Sequence, residues 1–153
     1  MDADEIEAAY EEFVSLLRSG DFAVPVDGWT AEMIGAHVAL NNDEIAAVAE
    51  AVTRGESVAY DNAAGVDDAT LREFAERAGG REGVADEIDR TARRLAQAQR
   101  ALGAATRLVE IPVVIHDQGQ LVVDRPLAIG DFVVGNATYH LELHLEQLKT
   151  LGT

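Results

Sequence analysis

Three of the four histidines in this 153-residue chain are spaced for one shared task. His140-Leu-Glu-Leu-His144 sets two imidazoles four residues apart, which on a helix stacks them on one face, within reach of a single metal ion. Turned at about 100° per residue, both rings fall among Val133, Ala137, Leu141, Leu148 and Leu151, while Thr138, Glu142, Glu146 and Lys149 point away. Asn136 and Gln147 share the histidine side, so this face is apolar with a polar strip. The same construction places His37 among Met33, Ile34, Leu40, Val48 and Val52. Unpaired inward polar groups cost about 1–3 kcal/mol each, and convergence of His37, His140 and His144 on one divalent ion would remove that cost. Imidazole suits zinc, nickel, iron and copper, and three histidines leave positions for water or substrate. One inward histidine is more often bonded to a neighbour, and HxxxH pairs also occur on surface helices. It is the pairing of two inward faces that carries the metal reading.

Other metal patterns do not fit. A zincin HExxH needs glutamate directly after the first histidine, where this chain has Leu141. Di-iron bundles need Glu-x-x-His pairs, and no glutamate stands three before any histidine. Cysteine is absent, which excludes disulfides, thiolate ligands and a cysteine nucleophile. With 28 acidic against 12 basic residues, the net charge of −16 disfavours nucleic acid and anionic membrane surfaces. The acidic N-terminus lacks a basic-then-apolar leader, and no apolar run approaches a membrane span. A soluble cytoplasmic protein is expected.

The elements that must position the histidines follow from periodicity. A first helix runs from about Asp4 to Arg18, with Ile6, Tyr10, Phe13, Val14 and Leu17 on one face. Asp21 to Trp29, with Pro25 and Asp27-Gly28, reads as a loop. Thr30 is a good N-cap for a second helix reaching Val52 or Thr53. Gly55 to Asp68 is irregular, a short helix covers Thr70 to Ala78, and Gly79-Gly80 closes it. A long helix follows from about Gly83 to Leu102. The β-branched run Ile111 to Ile115 then meets Leu121 to Val123 across His116–Gln120, a hairpin pattern. The last helix runs from Gly130-Asp131 to about Lys149. The expectation is a mainly all-α domain over residues 1–153: a four-helix bundle, antiparallel or with crossovers, carrying a short extra helix and a β-hairpin before the last helix. The hairpin's strand edges would gain from being covered, and a homodimer is one way to cover them.

Two motifs carry a resemblance. Gly28-Trp29-Thr30-Ala31-Glu32-Met33-Ile34-Gly35-Ala36-His37-Val38 resembles the opening of the DinB-like superfamily, in particular the metal-binding domain of mycothiol-dependent maleylpyruvate isomerases. That superfamily's closing HxxxHxxQ helix is matched by His140, His144 and Gln147. The resemblance implies a DinB-like four-helix bundle with a three-histidine site for zinc or nickel. It also implies an S-transferase or isomerase chemistry that joins a low-molecular-weight thiol (mycothiol, bacillithiol or glutathione) to a small-molecule electrophile. In such isomerases a second, C-terminal domain contributes to the active site, whereas this sequence ends at Thr153; the expected carry-over is the metal-binding domain.

Several residues keep two readings. Asn41 and Glu44 lie on the His37 side; Glu44 would orient a ring or accept a proton as a base, or else meets solvent or an arginine. Trp29 packs the loop over the bundle end or lines a substrate site. His116 is a turn residue or a fourth ligand. Arg94, Arg100 and Arg107 are surface or helix-end arginines, or grips for a thiol cofactor's polar groups. Beside the thiol-transferase reading stand a non-catalytic metal-binding protein of interaction or stress function, and a metal-free structural bundle.

Overall fold

The computed structural model describes residues 1–153. Helices α1 (Ala3–Ala9) and α2 (Glu11–Ser19) form one rod interrupted at Tyr10, with α1 started by an Asp2–Glu5 capping box. Ile6, Tyr10, Phe13, Val14 and Leu17 are all buried, as the spacing predicts. Helix α3 (Ala31–Thr53) is capped by Thr30, whose Oγ1 accepts from the Met33 amide. Strand β1 (Tyr60–Asp61) and a 3-10 turn at Ala64–Val66 lead to α4 (Asp68–Ala78), capped by Asp67. Gly79 and Gly80, both at positive φ, turn the chain into α5 (Arg81–Ala101). After a second 3-10 turn at Thr106–Leu108 come β2 (Glu110–Asp117) and β3 (Gln120–Ala128). The chain ends in α6 (Ile129–Gly135), a single π turn (Asn136–His140) and α7 (Leu141–Thr150).

Pairs of touching residues set the directions. Leu17 meets Gly35 while Tyr10 meets Asn42, so α1–α2 and α3 are antiparallel. Gly35 meets Val84, Asn42 meets Thr91 and Glu50 meets Arg94, so α3 and α5 run parallel, with β1 and α4 as the return path. Arg18 pairs with Asp86 and Asp4 with Arg100, which makes α5 antiparallel to α1–α2. This is the crossover form of the two arrangements expected, but it is not strictly a four-helix bundle. Counting each interrupted rod once, there are five helices. The hairpin is also larger: β1 joins β2 in parallel to give a three-stranded sheet in the order β1-β2-β3. A two-residue strand has too little periodicity to be read from sequence. The hairpin turns at Gln118-Gly119, both at positive φ, so His116 is a β2 residue paired with Leu121.

The core is Ala, Val, Ile and Leu around α3, which is buried on most sides. Within it a polar set is satisfied internally: Tyr10 donates to Asn42 Oδ1 at 2.7 Å, and Asn136 Nδ2 donates to the same atom at 2.8 Å. These bonds tie the Tyr10 break, the centre of α3 and the start of the π turn together, and buried polar groups that are fully paired specify one packing.

Helices α3 and α5 approach closely at Gly35, where an added Cβ would lie 2.7 Å from Val84 Cγ1 and 2.9 Å from Leu17 Cδ2. Both neighbours are fully buried. Gly35→Ala should therefore destabilise despite its better helix propensity, by about 1–2 kcal/mol net, read as a lower urea midpoint with unchanged m. A midpoint equal to or above wild type would show that the helices can separate there without cost.

Candidate metal centre

His37 projects from the second turn of α3, in the stretch that Thr30 starts, and α3 packs against α7. His140 is the last residue of the π turn and His144 lies one turn into α7. The π turn adds a residue to one turn of helix, so everything after it is rotated relative to α6; such insertions often mark functional sites. Asn136, the first residue of that turn, is held by its bonds to Tyr10 and Asn42.

The three rings converge. His140 Nε2 lies 3.1 Å from His37 Nε2 and 3.1 Å from His144 Nε2. One ligand nitrogen from each ring can be chosen so that all lie within 4.8 Å of one another. His37 and His144 are buried, at 3% and 7% exposure, and His140 is half-buried. His37 Nδ1 donates to the carbonyl of Gly65, and His144 Nδ1 donates to Gln147 Oε1 at 2.8 Å. A carbonyl can only accept, so in each neutral ring the proton sits on Nδ1 and the Nε2 lone pair faces the centre.

That arrangement fits a cation. Two nitrogens about 2.0–2.1 Å from one ion lie about 3.3 Å apart at a tetrahedral angle and about 2.9 Å apart at a right angle, and the closest nitrogens here are at 3.1 Å. Without an ion, at most one His140 proton would have to serve two facing lone pairs. The rings are also kept neutral, the form that binds metal. Burial, then the nearby His144, pushes His37 down to about 3, against a weaker opposing effect of the Gly65 carbonyl. Burial and the other two rings hold His140 well below the ordinary imidazole range. Burial also lowers His144, opposed by its bond to Gln147 and by the charge of Asp117.

Around the rings, Trp29 covers one side: its ring centre is 4.9 Å from that of His37 and 6.3 Å from that of His144. Its Nε1–H donates to Asp68 Oδ1 at 2.8 Å, which anchors the indole to the start of α4. Asn41 Nδ2 lies 3.2 Å from His140 Nε2 and 3.4 Å from His37 Nε2. Its Oδ1 accepts from the Tyr60 hydroxyl at 3.1 Å. Of the two polar residues singled out on this side of α3, it is Asn41 whose side chain meets the rings. Glu44 makes no hydrogen bond to them; its Oε2 is buried without a partner, and burial, with Asp43 and Asp61, raises its pKa.

His116 is absent from the cluster, and its backbone pairs with the Asn62 side chain. Arg94 is engaged by Asp43 and Glu50, Arg100 by Asp4, and Arg107 reaches the Leu102 carbonyl. Gly65 and Tyr60 were not singled out from sequence. They arrive from the segment between α3 and α4, where no periodicity marks a residue as inward.

A family model described as the mycothiol maleylpyruvate isomerase N-terminal domain matches residues 3–125. The matched part includes His37 and its capped helix; His140 and His144 lie beyond it and join the site through the fold. No curated protein and no solved structure gives a match.

Proposed function

Because the chain belongs to the mycothiol maleylpyruvate isomerase N-terminal domain family, we propose that it is a divalent-metal protein whose His37, His140 and His144 hold zinc or nickel. We further propose that it works as a thiol S-transferase or isomerase-like enzyme on a mycothiol-type thiol and a small electrophile, within the cytoplasm and as one domain over residues 1–153. The observation that carries this reading is the convergence of three Nε2 atoms, two of them aimed by Nδ1–H bonds to Gly65 and Gln147. When bound, the ion supplies Lewis-acid character that lowers the pKa of a coordinated thiol.

The chain's own groups supply the rest. The neutral rings present lone pairs in a fixed orientation. Trp29 shields the His37 and His144 rings from water. Glu44, the carboxyl on the His37 side of α3 with a raised pKa, is the group we assign to take up the thiol proton. In the transfer the thiol S–H loses its proton, a carbon–sulfur bond forms, and the electrophile's leaving group departs with its electron pair; in an isomerisation the same sulfur adds and later leaves.

A second reading is favoured by one observation. Two clefts, of about 620 Å³ beside Met1–Glu5 and about 380 Å³ beside Leu40 and Phe74, are lined by residues other than the three histidines. A metal-binding protein whose function is interaction is consistent with that placement.

The two readings separate by assay. Metal-loaded protein should conjugate a low-molecular-weight thiol to an electrophile, and omitting either the metal or the thiol should abolish turnover. Failure with mycothiol, bacillithiol and glutathione across several electrophiles, in protein shown to carry metal, would overturn the transferase reading and leave the interaction reading.

A further inference from the structure

We propose that Asn41 selects the charge of what binds at the three-histidine centre: its amide Nδ2–H donates to an anion that completes the coordination, and Tyr60 holds the amide in that orientation. The inference rests on the metal reading above and concerns a residue on α3 that is not one of the three proposed ligands.

The amide has two ends in different surroundings. Nδ2 faces the shared space, 3.2 Å from His140 Nε2 and 3.4 Å from His37 Nε2. Oδ1 faces the other way, accepting from the Tyr60 hydroxyl at 3.1 Å. Gly65 lies directly against that oxygen, where an added Cβ would be 2.7 Å from Oδ1. A tyrosine hydroxyl has one hydrogen, an asparagine amide has donors at one end only, and the orientation of such an amide is assigned from its hydrogen-bond partners. Turned over, the amide would offer Nδ2 to Tyr60 and leave the buried hydroxyl hydrogen without its acceptor. It would also set Oδ1 against the ring lone pairs. The nitrogen end therefore points inward, and the Tyr60 hydroxyl keeps it there.

Once a cation takes the Nε2 lone pairs, those nitrogens can no longer accept from Asn41. Its hydrogens are then free for the next acceptor beside the ion. A monoanion that keeps a lone pair after coordination, such as azide or a thiolate, can accept them, and a bond from a neutral amide to a charged acceptor is among the stronger kinds. A neutral ligand such as imidazole spends its one available lone pair on the ion and has nothing left to accept with. Asn41 thus favours anionic over neutral ligands without touching the ion.

Cobalt(II) reports on this through its visible spectrum. The experiment titrates azide and, separately, imidazole into cobalt-loaded wild type, Asn41→Ala, Asn41→Asp and Tyr60→Phe. The expected result is about tenfold weaker azide binding in Asn41→Ala, with imidazole binding and cobalt affinity close to wild type. Tyr60→Phe, which frees the amide to turn, should weaken azide in the same direction by a smaller factor, and it stands in should the Asn41→Ala chain fail to fold. Equal losses for azide and imidazole, or no loss for azide, would overturn the proposal. So would loss of cobalt from Asn41→Ala with retention in Asn41→Asp, which would make Asn41 an oxygen ligand instead. If wild type takes up no cobalt, the metal reading itself fails, an outcome distinct from all of these.

Discussion

Replacing His140 with alanine is expected to cut metal affinity by at least about 100-fold and to strip the purified chain of its divalent ion. Removing a residue that only orients a metal ligand typically costs about 10–100-fold, and loss of one of three ligands should exceed that. His140 is the informative position because its Nε2 is the nitrogen within 3.1 Å of both other rings. It is also the least buried of the three, so its truncation threatens the fold least. Elemental analysis of wild type and variant, purified side by side, gives the answer directly. Equal metal in both would remove His140 from the ligand set and leave the proposed centre without its middle nitrogen.

Acid should destabilise the metal-free protein in a range where carboxylates stay largely ionised. Below about pH 6.5 the imidazoles of the unfolded chain take up protons, while in the folded chain burial keeps them neutral. The unfolded state then binds more protons, so stability falls as pH is lowered and is complete only above the ordinary imidazole range. For His37, pushed down to about 3, the loss between pH 7.5 and 5.5 is about 1.4 kcal/mol. His140 and His144 add to it in the same direction. Glu44, with its raised pKa, works the opposite way, and its contribution falls mostly at lower pH. The measurement is the urea midpoint of chelator-treated protein at the two pH values. A midpoint that holds or rises on acidification would show that the rings are solvated or paired with carboxylates, and the neutral, metal-ready cluster would have to be abandoned.

Much of the scaffold is legible from local chemistry. Thr30 starts α3 because its hydroxyl satisfies an otherwise orphaned amide, a relation between residues three apart. The buried faces of α1, α2, α3 and α7 follow from a 3.6-residue period, as do the inward directions of His37 and His144. Gly79-Gly80 ends α4 because the backbone there is left-handed. Other features depend on partners far away in the chain. The break at Tyr10 and the π turn at Asn136–His140 are joined through Asn42; nothing within either segment announces an interruption, since the compensating hydrogen bonds come from another helix. Strand β1 exists because β2 offers it an edge. Arg94 lies on the solvent side of α5, and only the parallel course of α3 shows that Asp43 and Glu50 occupy it.

The three histidines divide along the same line. Their types and their inward directions are properties of the sequence alone, because helical spacing decides which side of a helix each residue takes. That His140 Nε2 comes within hydrogen-bond distance of both other rings was decided by tertiary structure: by how α3 crosses α7, and by the π turn that sets the rotation of His140 and His144 relative to α6. The Gly65 carbonyl that aims His37 and the Tyr60-held amide of Asn41 beside the rings were decided there too, whereas Gln147, which aims His144, is three residues away on the same helix. Spacing along one helix is a local quantity, whereas the meeting of three rings depends on the relative placement of two helices and a connecting segment, which only the packed core determines.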